Sequence, residues 1–371
     1  VQTLLEKASK IPHRFALGDL SIFPNVYLSS MHGVTDHPFR RLISYITQNQ
    51  TGILTSEFVS ANEILQNNPR ALKQMKFCVD QSPFSIQIYG GDPKQMGEAA
   101  KVAVDKGAQF VEINSGCPAP KVVSKQCGSG LLLDLEHFRS VVSSVAQSVS
   151  VPVSVKVRVG YYNSEINVLD SLKVAEEEGL SLFVIHGRTR EQGYKGFADW
   201  DLIGKAKEQA HIPVVGNGDV LSVEDAVEKL HTYGVDGVSV GRGALHNPWL
   251  FREVLDIYAG KEAQEPTAKE QYTLFSRYKE FLLEETPVEK LALGRLKQLS
   301  ARVLKTYSDS KDQRKAVLRS PSIQDFFGNL EDYFSKIDPA QGRILAEIQD
   351  LNGNETNQVE YGSQYKGRAR S

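Results

Sequence analysis

Asn114-Ser115-Gly116-Cys117-Pro118 follows the apolar run Phe110-Val111-Glu112-Ile113 and precedes Cys127-Gly128-Ser129-Gly130. A thiol at the carboxyl end of a strand, between a residue that turns freely and one that stiffens the exit, is placed to move a proton or attack an electrophile. A lone cysteine is more often a buried structural residue, so the other polar positions have to decide. They recur at the ends of strand-like runs: Gln87, Asn114, Lys156 with Arg158, His186-Gly187-Arg188, Asn217-Gly218-Asp219 and Gly241-Arg242-Gly243. Taken alone, Lys156 reads equally well as a surface residue by strand alternation. Packing does not call for polar groups at so many corresponding positions.

Those groups meet only if the runs form one sheet. Short β-rich runs at Val26–Met31, Ile53–Ser56, Phe84–Tyr89, Phe110–Asn114, Val151–Val157, Leu182–His186, Ile212–Gly216 and Gly237–Gly241 alternate with helical patterns. The helical patterns lie near Asp36–Thr47, Pro93–Lys106, Leu135–Ser148, Ser164–Glu178, Asp199–Gln209 and Ser222–His231. Eight parallel strands with intervening helices predict a (β/α)₈ TIM barrel, which gathers strand-end residues at one mouth. An open doubly wound sheet would need a Gly-rich fingerprint after the first strand, and Met31-His32-Gly33-Val34 is not one. The Gly-rich turns after the seventh and eighth runs are where barrels commonly hold a phosphate. The residues alone thus predict a barrel enzyme with a phosphorylated cofactor or substrate, and Lys156, His186 and Cys117 near the reacting atoms.

After Leu250 the strand signal stops, and helical periodicity runs from about Thr267 to Ile337 with breaks at Pro287 and Pro321. The expected division is a catalytic barrel over 1–255, a small helical domain over 256–345 and a disordered tail over 346–371. The whole chain carries a formal charge of -2, so no global basic field announces nucleic acid. Between Pro287 and Arg319, however, nine cations face three anions. Arg295, Lys297, Arg302 and Lys305 are the candidate phosphate contacts there. An ordinary solvated helix face is the competing reading of the same run.

Of the 371 residues 41% are hydrophobic, enough for a sizeable core. Three cysteines form no even framework and no C-x-x-C pair, which favours a reducing, cytoplasmic setting and argues against structural zinc. No run is long enough for a membrane span, and the start at Val1 reads as processed or truncated. No protein partner is implied.

The ordered motifs Asn114-Ser115-Gly116-Cys117-Pro118, Lys156-Val157-Arg158, His186-Gly187-Arg188-Thr189-Arg190, Gly216-Asn217-Gly218-Asp219 and Gly241-Arg242-Gly243 resemble those of the tRNA-dihydrouridine synthases. Gly33-Val34-Thr35-Asp36-His37-Pro38-Phe39-Arg40 resembles that family's first strand–helix junction, so the match covers roughly Tyr27 to Phe251. The resemblance implies FMN in the barrel mouth, a tRNA uridine as substrate and NADPH as electron source. It implies that Cys117 is the proton donor and that Asn114 holds the uracil. It assigns Ser30, Met31, Gln87, Lys156, His186, Asn217, Gly218, Asp219, Gly241 and Arg242 to the flavin, and Arg158 and Arg188 to the substrate side. This chain departs from the family at Ser29-Ser30-Met31-His32, where Ala-Pro-Met-Ala is usual. Three rival readings remain: an FMN-dependent small-molecule oxidoreductase of dihydroorotate dehydrogenase type, an RNA-binding protein whose barrel has lost its redox chemistry, and a non-redox phosphate-binding barrel.

Overall fold

In the computed structural model, which describes residues 3–78, 81–304 and 311–336, eight parallel strands close on themselves. They are β1 (Val26–Leu28), β2 (Ile53–Thr55), β3 (Phe84–Tyr89), β4 (Phe110–Ser115), β5 (Val153–Arg158), β6 (Leu182–His186), β7 (Val214–Asn217) and β8 (Gly237–Val240). Each pairs with the next in chain order, and β8 pairs with β1 to complete the ring. The predicted (β/α)₈ barrel is therefore the architecture observed.

Strand alternation builds two shells. Along β5, Val153, Val155 and Val157 join the core shared with the surrounding helices, while Ser154, Lys156 and Arg158 lie on the other face. Five of the surrounding helices begin where short polar side chains cap them: Asp36 on Phe39 N, Asp92 on Gln95 N, Asp134 on His137 N, Asp199 on Leu202 N and Ser222 on Asp225 N. Each such cap is worth about 1 kcal/mol. The helix expected from Ser164 begins instead at Val168. Residues 159–167 form a loop, closed by a bridge between Gly160 and Ile166 and by Asn167 Nδ2 donating to Leu132 O at 2.8 Å.

The sequence reading contained no signal for an N-terminal hairpin, Phe15–Leu17 with Leu20–Ile22. Its Leu17 and Ile22 pack with Tyr27, Ile53, Phe110, Leu182, Val184 and Val215 in an inner cluster separate from the helix-facing core. That cluster fills the end of the barrel where the strands begin.

Helices Ala268–Glu285, Glu289–Val303, Lys311–Arg319 and Ile323–Lys336 follow, with Pro287 and Pro321 in the breaks. The expected boundary at residue 255 falls inside the helix Leu250–Tyr258, whose Leu250, Phe251, Val254 and Ile257 belong to a core that the barrel shares with the C-terminal helices. Lys305 and the tail expected over 346–371 lie outside the described residues.

Charged groups fasten the helices beside β1 and β2. His37 Nδ1 lies 2.8 Å from Glu285 Oε1, Lys73 donates to Thr286 Oγ1 at 2.6 Å, and Lys76 bonds Glu285. Arg295 bonds the carbonyl of Gly33 and the carboxylate of Asp36, the latter at 2.7 Å. This guanidinium, expected to meet phosphate, is thus engaged by the loop after β1. Arg295→Ala is expected to cost about 2 kcal/mol, in line with lost charge-assisted bonds. It should also speed tryptic cleavage after Lys261, in the 259–267 connection. Lys290→Ala, at an exposed cation of the same helix, is the control; equal cleavage rates for the two variants would show that Arg295 does not hold the helices down.

Candidate active site at the barrel mouth

The cysteine loop is clamped from both sides. Asn114, the last residue but one of β4, accepts the backbone N–H of Gly116 at 3.1 Å and of Cys117 at 2.9 Å on its Oδ1. Behind it, Asn114 Nδ2 donates to Gln87 Oε1 at 2.6 Å. The Gln87 amide donates in turn to Glu112, whose other oxygen accepts the Tyr27 hydroxyl. Thr55 donates to Tyr27 at 2.7 Å. A buried line of side chains therefore runs from the barrel interior to the turn that holds the thiol.

On the outer side, the Cys117 carbonyl accepts from Ser129 N at 3.1 Å and Ser129 Oγ at 2.9 Å. The Gly116 carbonyl accepts from Arg158 Nε at 2.8 Å. Gly128 has φ +56°, and a Cβ there would stand 2.9 Å from the Cys117 carbonyl oxygen, so this position requires glycine. The Cys117 thiol is half-buried, and burial pushes its pKa up. A neutral thiol, a proton carrier, is the form the site favours at neutral pH.

From β5, next to this loop, round to β8 runs a cationic arc. Lys156 Nζ donates to Asn217 Oδ1 at 2.7 Å, and Asn217 Nδ2 donates to Ser239 O at 2.7 Å and to Ser29 Oγ at 3.2 Å. Burial brings the Lys156 pKa down to about 8, against an upward pull from the Glu112 carboxylate. His186 is held well below its usual pKa by burial, then by Arg158, Lys156, Arg188 and Arg242, so its imidazole is neutral. Arg188 pairs with both oxygens of Asp219 at 2.8 Å. Asp219 also accepts Ala198 N at 2.8 Å, and Trp200 donates to the Gly218 carbonyl at 2.9 Å. Gly218 has φ +121°, and a Cβ would lie 2.5 Å from that of Ala198. The turn after β7 is therefore rigid, with its backbone close to His186.

These residues fit a phosphate-bearing cofactor. Ser30 Oγ is buried without a hydrogen-bond partner among the described residues. A Cβ at Gly241 would find nothing nearer than 3.8 Å, so the backbone after β8 is open to an approaching group. Met31 is its neighbour there. Arg242 is a third exposed and makes a 3.4 Å contact with Asp219, which leaves guanidinium donors for an anion.

The barrel brings together the predicted Gln87, Asn114, Cys117, Lys156, His186, Asn217, Gly218, Asp219, Gly241 and Arg242. Arg158 and Arg188 are at the same mouth, but their guanidiniums are turned into loop carbonyls: Thr189 and Gly193 for Arg158, Lys195 and Gly196 for Arg188. Lys297 and Arg302 are on the helix Glu289–Val303, each partly buried. Sequence reasoning passed over Glu112, Tyr27 and Ser239. Glu112 left a signal, a carboxylate alternating with Phe110 and Asn114 in an otherwise apolar strand. Tyr27 and Ser239 left none.

Residues 27–329 match the family model described as dihydrouridine synthase. "tRNA-dihydrouridine synthase B" of Pseudomonas putida is 41% identical over 238 residues, which cover 64% of this chain and 70% of that protein. A "Probable tRNA-dihydrouridine synthase" of Rickettsia conorii is 35% identical over 271 residues, 72% of this chain and 81% of that one. "Probable tRNA-dihydrouridine synthase 1" of a Synechocystis species is 40% identical over 271 residues, 72% and 75% of the two chains. Among solved structures, histamine dehydrogenase from Rhizobium sp. 4-9 superposes with a TM-score of 0.51 at 13% identity, covering 74% of this chain and 51% of that one. At that identity the likeness establishes a shared fold.

Proposed function

The chain belongs to the dihydrouridine synthase family, a family of oxidoreductases, and on that premise we propose that it reduces the C5=C6 bond of uridines in tRNA with FMN and NADPH. What supports this most is the clamped, neutral Cys117 thiol sharing one mouth with Lys156 and His186. Reduced FMN, when bound, would supply the hydride that uracil C6 accepts.

The chain's own residues do the rest. Lys156, Asn217, Ser30, Gly241, Arg242, Gln87 and His186 would hold the cofactor. The Lys156 ammonium would favour the electron-rich, reduced cofactor at little reorganisation cost, because Asn217 already fixes it. Cys117 gives its proton to C5 as negative charge collects on the uracil, and the resulting thiolate takes a proton back from water. Asn114 holds that thiol in place by accepting hydrogen bonds from the backbone N–H groups of Gly116 and Cys117. A base inside folded tRNA has to leave its stack to enter the mouth.

Purified protein reconstituted with FMN should convert uridines of unmodified tRNA to dihydrouridine in the presence of NADPH, read as a mass gain of the nucleoside. NADPH oxidation driven by a free small substrate with no change in tRNA would replace this reading with the dihydroorotate dehydrogenase type. Protein that cannot be loaded with flavin would end both.

A further inference from the structure

We propose that Tyr194, Lys195 and Phe197, with Tyr162 beside them, form a fixed platform that stacks on unpaired bases of the RNA strand flanking the reacting uridine. The proposal rests on the tRNA reading above and adds a contact surface to it.

Tyr194-Lys195-Gly196-Phe197 lies on the loop after β6, and Phe197 is 75% exposed and Tyr194 58%. Large exposed aromatics usually sit on mobile loops, but this one is tied down. Two buried arginines on strand ends hold its backbone. Arg158 donates to Gly193 O at 2.9 Å and to Thr189 O at 2.8 Å. Arg188 donates to Gly196 O at 2.6 Å and to Lys195 O at 3.3 Å. Burying two guanidiniums side by side is costly. Here it fixes the main chain on both sides of Tyr194 while the side chains stay in water.

The loop after β5 is laced to the same frame. Arg190 N donates to Gly160 O at 3.0 Å, Glu191 N to Tyr161 O at 2.9 Å, and Thr189 Oγ1 to Asn163 Oδ1 at 2.5 Å. This brings in exposed Tyr162, in edge contact with Tyr161, over which Arg190 stacks at 5.2 Å. Arg242 and Arg158 stand 5.3 and 5.7 Å from the Tyr194 ring. Rigid exposed rings over a cationic floor are what single-stranded nucleic acid binds, by base stacking with phosphates held alongside.

Position supports the same occupant. In the closed ring β5 lies opposite β1. The C-terminal helices pack beside the loops after β1 and β2, so the platform faces them across the mouth. An RNA bound by those helices and dropping one base into the mouth continues onto the platform.

The test uses full-length, flavin-loaded protein and labelled, unmodified tRNA. Phe197→Ala should weaken tRNA binding about tenfold, as expected for loss of one stacked base, and Phe197→Trp should restore it. Lys195→Ala should reduce the slope of log affinity against log salt by about one. Flavin content and flavin reduction by NADPH should stay at wild-type levels in all three. Wild-type protein that binds no tRNA would overturn the functional reading itself. Wild type that binds tRNA while Phe197→Ala binds equally well would remove the platform and leave that reading standing.

Discussion

Cys117→Ala is expected to slow dihydrouridine formation by about 10²–10⁴-fold, the usual worth of a positioned general acid. Flavin content and flavin reduction by NADPH should hold, because Lys156 is fixed by Asn217 and not by the thiol. Its partners are backbone groups of its own loop, so alanine leaves the clamp by Asn114, Ser129 and Arg158 intact. The pH profile gives the second signature. Burial raises the Cys117 pKa, and the donor must be protonated, so the rate of the proton-transfer step should stay level across the neutral range. It should fall only in alkaline solution, at higher pH than for an exposed thiol. Single-turnover reduction of tRNA by pre-reduced enzyme measures this. Wild-type turnover by Cys117→Ala would assign the proton to water or to another group.

Glu112→Ala is expected to cost about 3 kcal/mol or more, the scale for removing one partner from a buried charged network. It orphans the Tyr27 hydroxyl and the Gln87 amide at once. Glu112→Gln keeps the shape and part of the bonding and should cost about 1 kcal/mol. Both variants remove the carboxylate that raises the Lys156 pKa, so the Lys156 titration should move to lower pH than about 8. The linkage has a definite sign. The folded Lys156 pKa lies below the unfolded one, so its burial cost is fully present below about pH 8 and is relieved as pH rises toward the unfolded value of 10.5. Wild-type stability should therefore gain from this group between those two pH values, and in Glu112→Gln that gain should begin at lower pH. Denaturant unfolding at several pH values, with NMR of carbon-labelled lysine to follow Lys156, reads both effects. Coincident stability curves and an unmoved Lys156 titration would detach Glu112 from the site.

Strand positions and strand-end chemistry were legible in the chain because a barrel repeats one unit. The apolar runs end in polar residues, five of the helices that follow start on an Asp or Ser cap, and the closed ring carries those ends to one mouth. Cys117 with Asn114, Lys156, His186 and the two Gly-rich turns could be placed there from order alone. Local pattern also located the helix breaks at Pro287 and Pro321. It could not show the sealing hairpin, since three-residue strands carry too little periodicity.

Partners in space were decided by the tertiary structure. Arg158, Arg188 and Arg295 read as cations open to a substrate or phosphate, but a guanidinium has several donors, and folding put backbone carbonyls within their reach. Tyr27 and Glu112 are 85 positions apart, and nothing local announces their bond. The exposure of Phe197 likewise follows from how two loops are laced, and its own neighbours in sequence do not dictate it. Periodicity and turn chemistry act over a few residues and are written in the chain. A hydrogen bond between distant side chains exists only after the ring has closed.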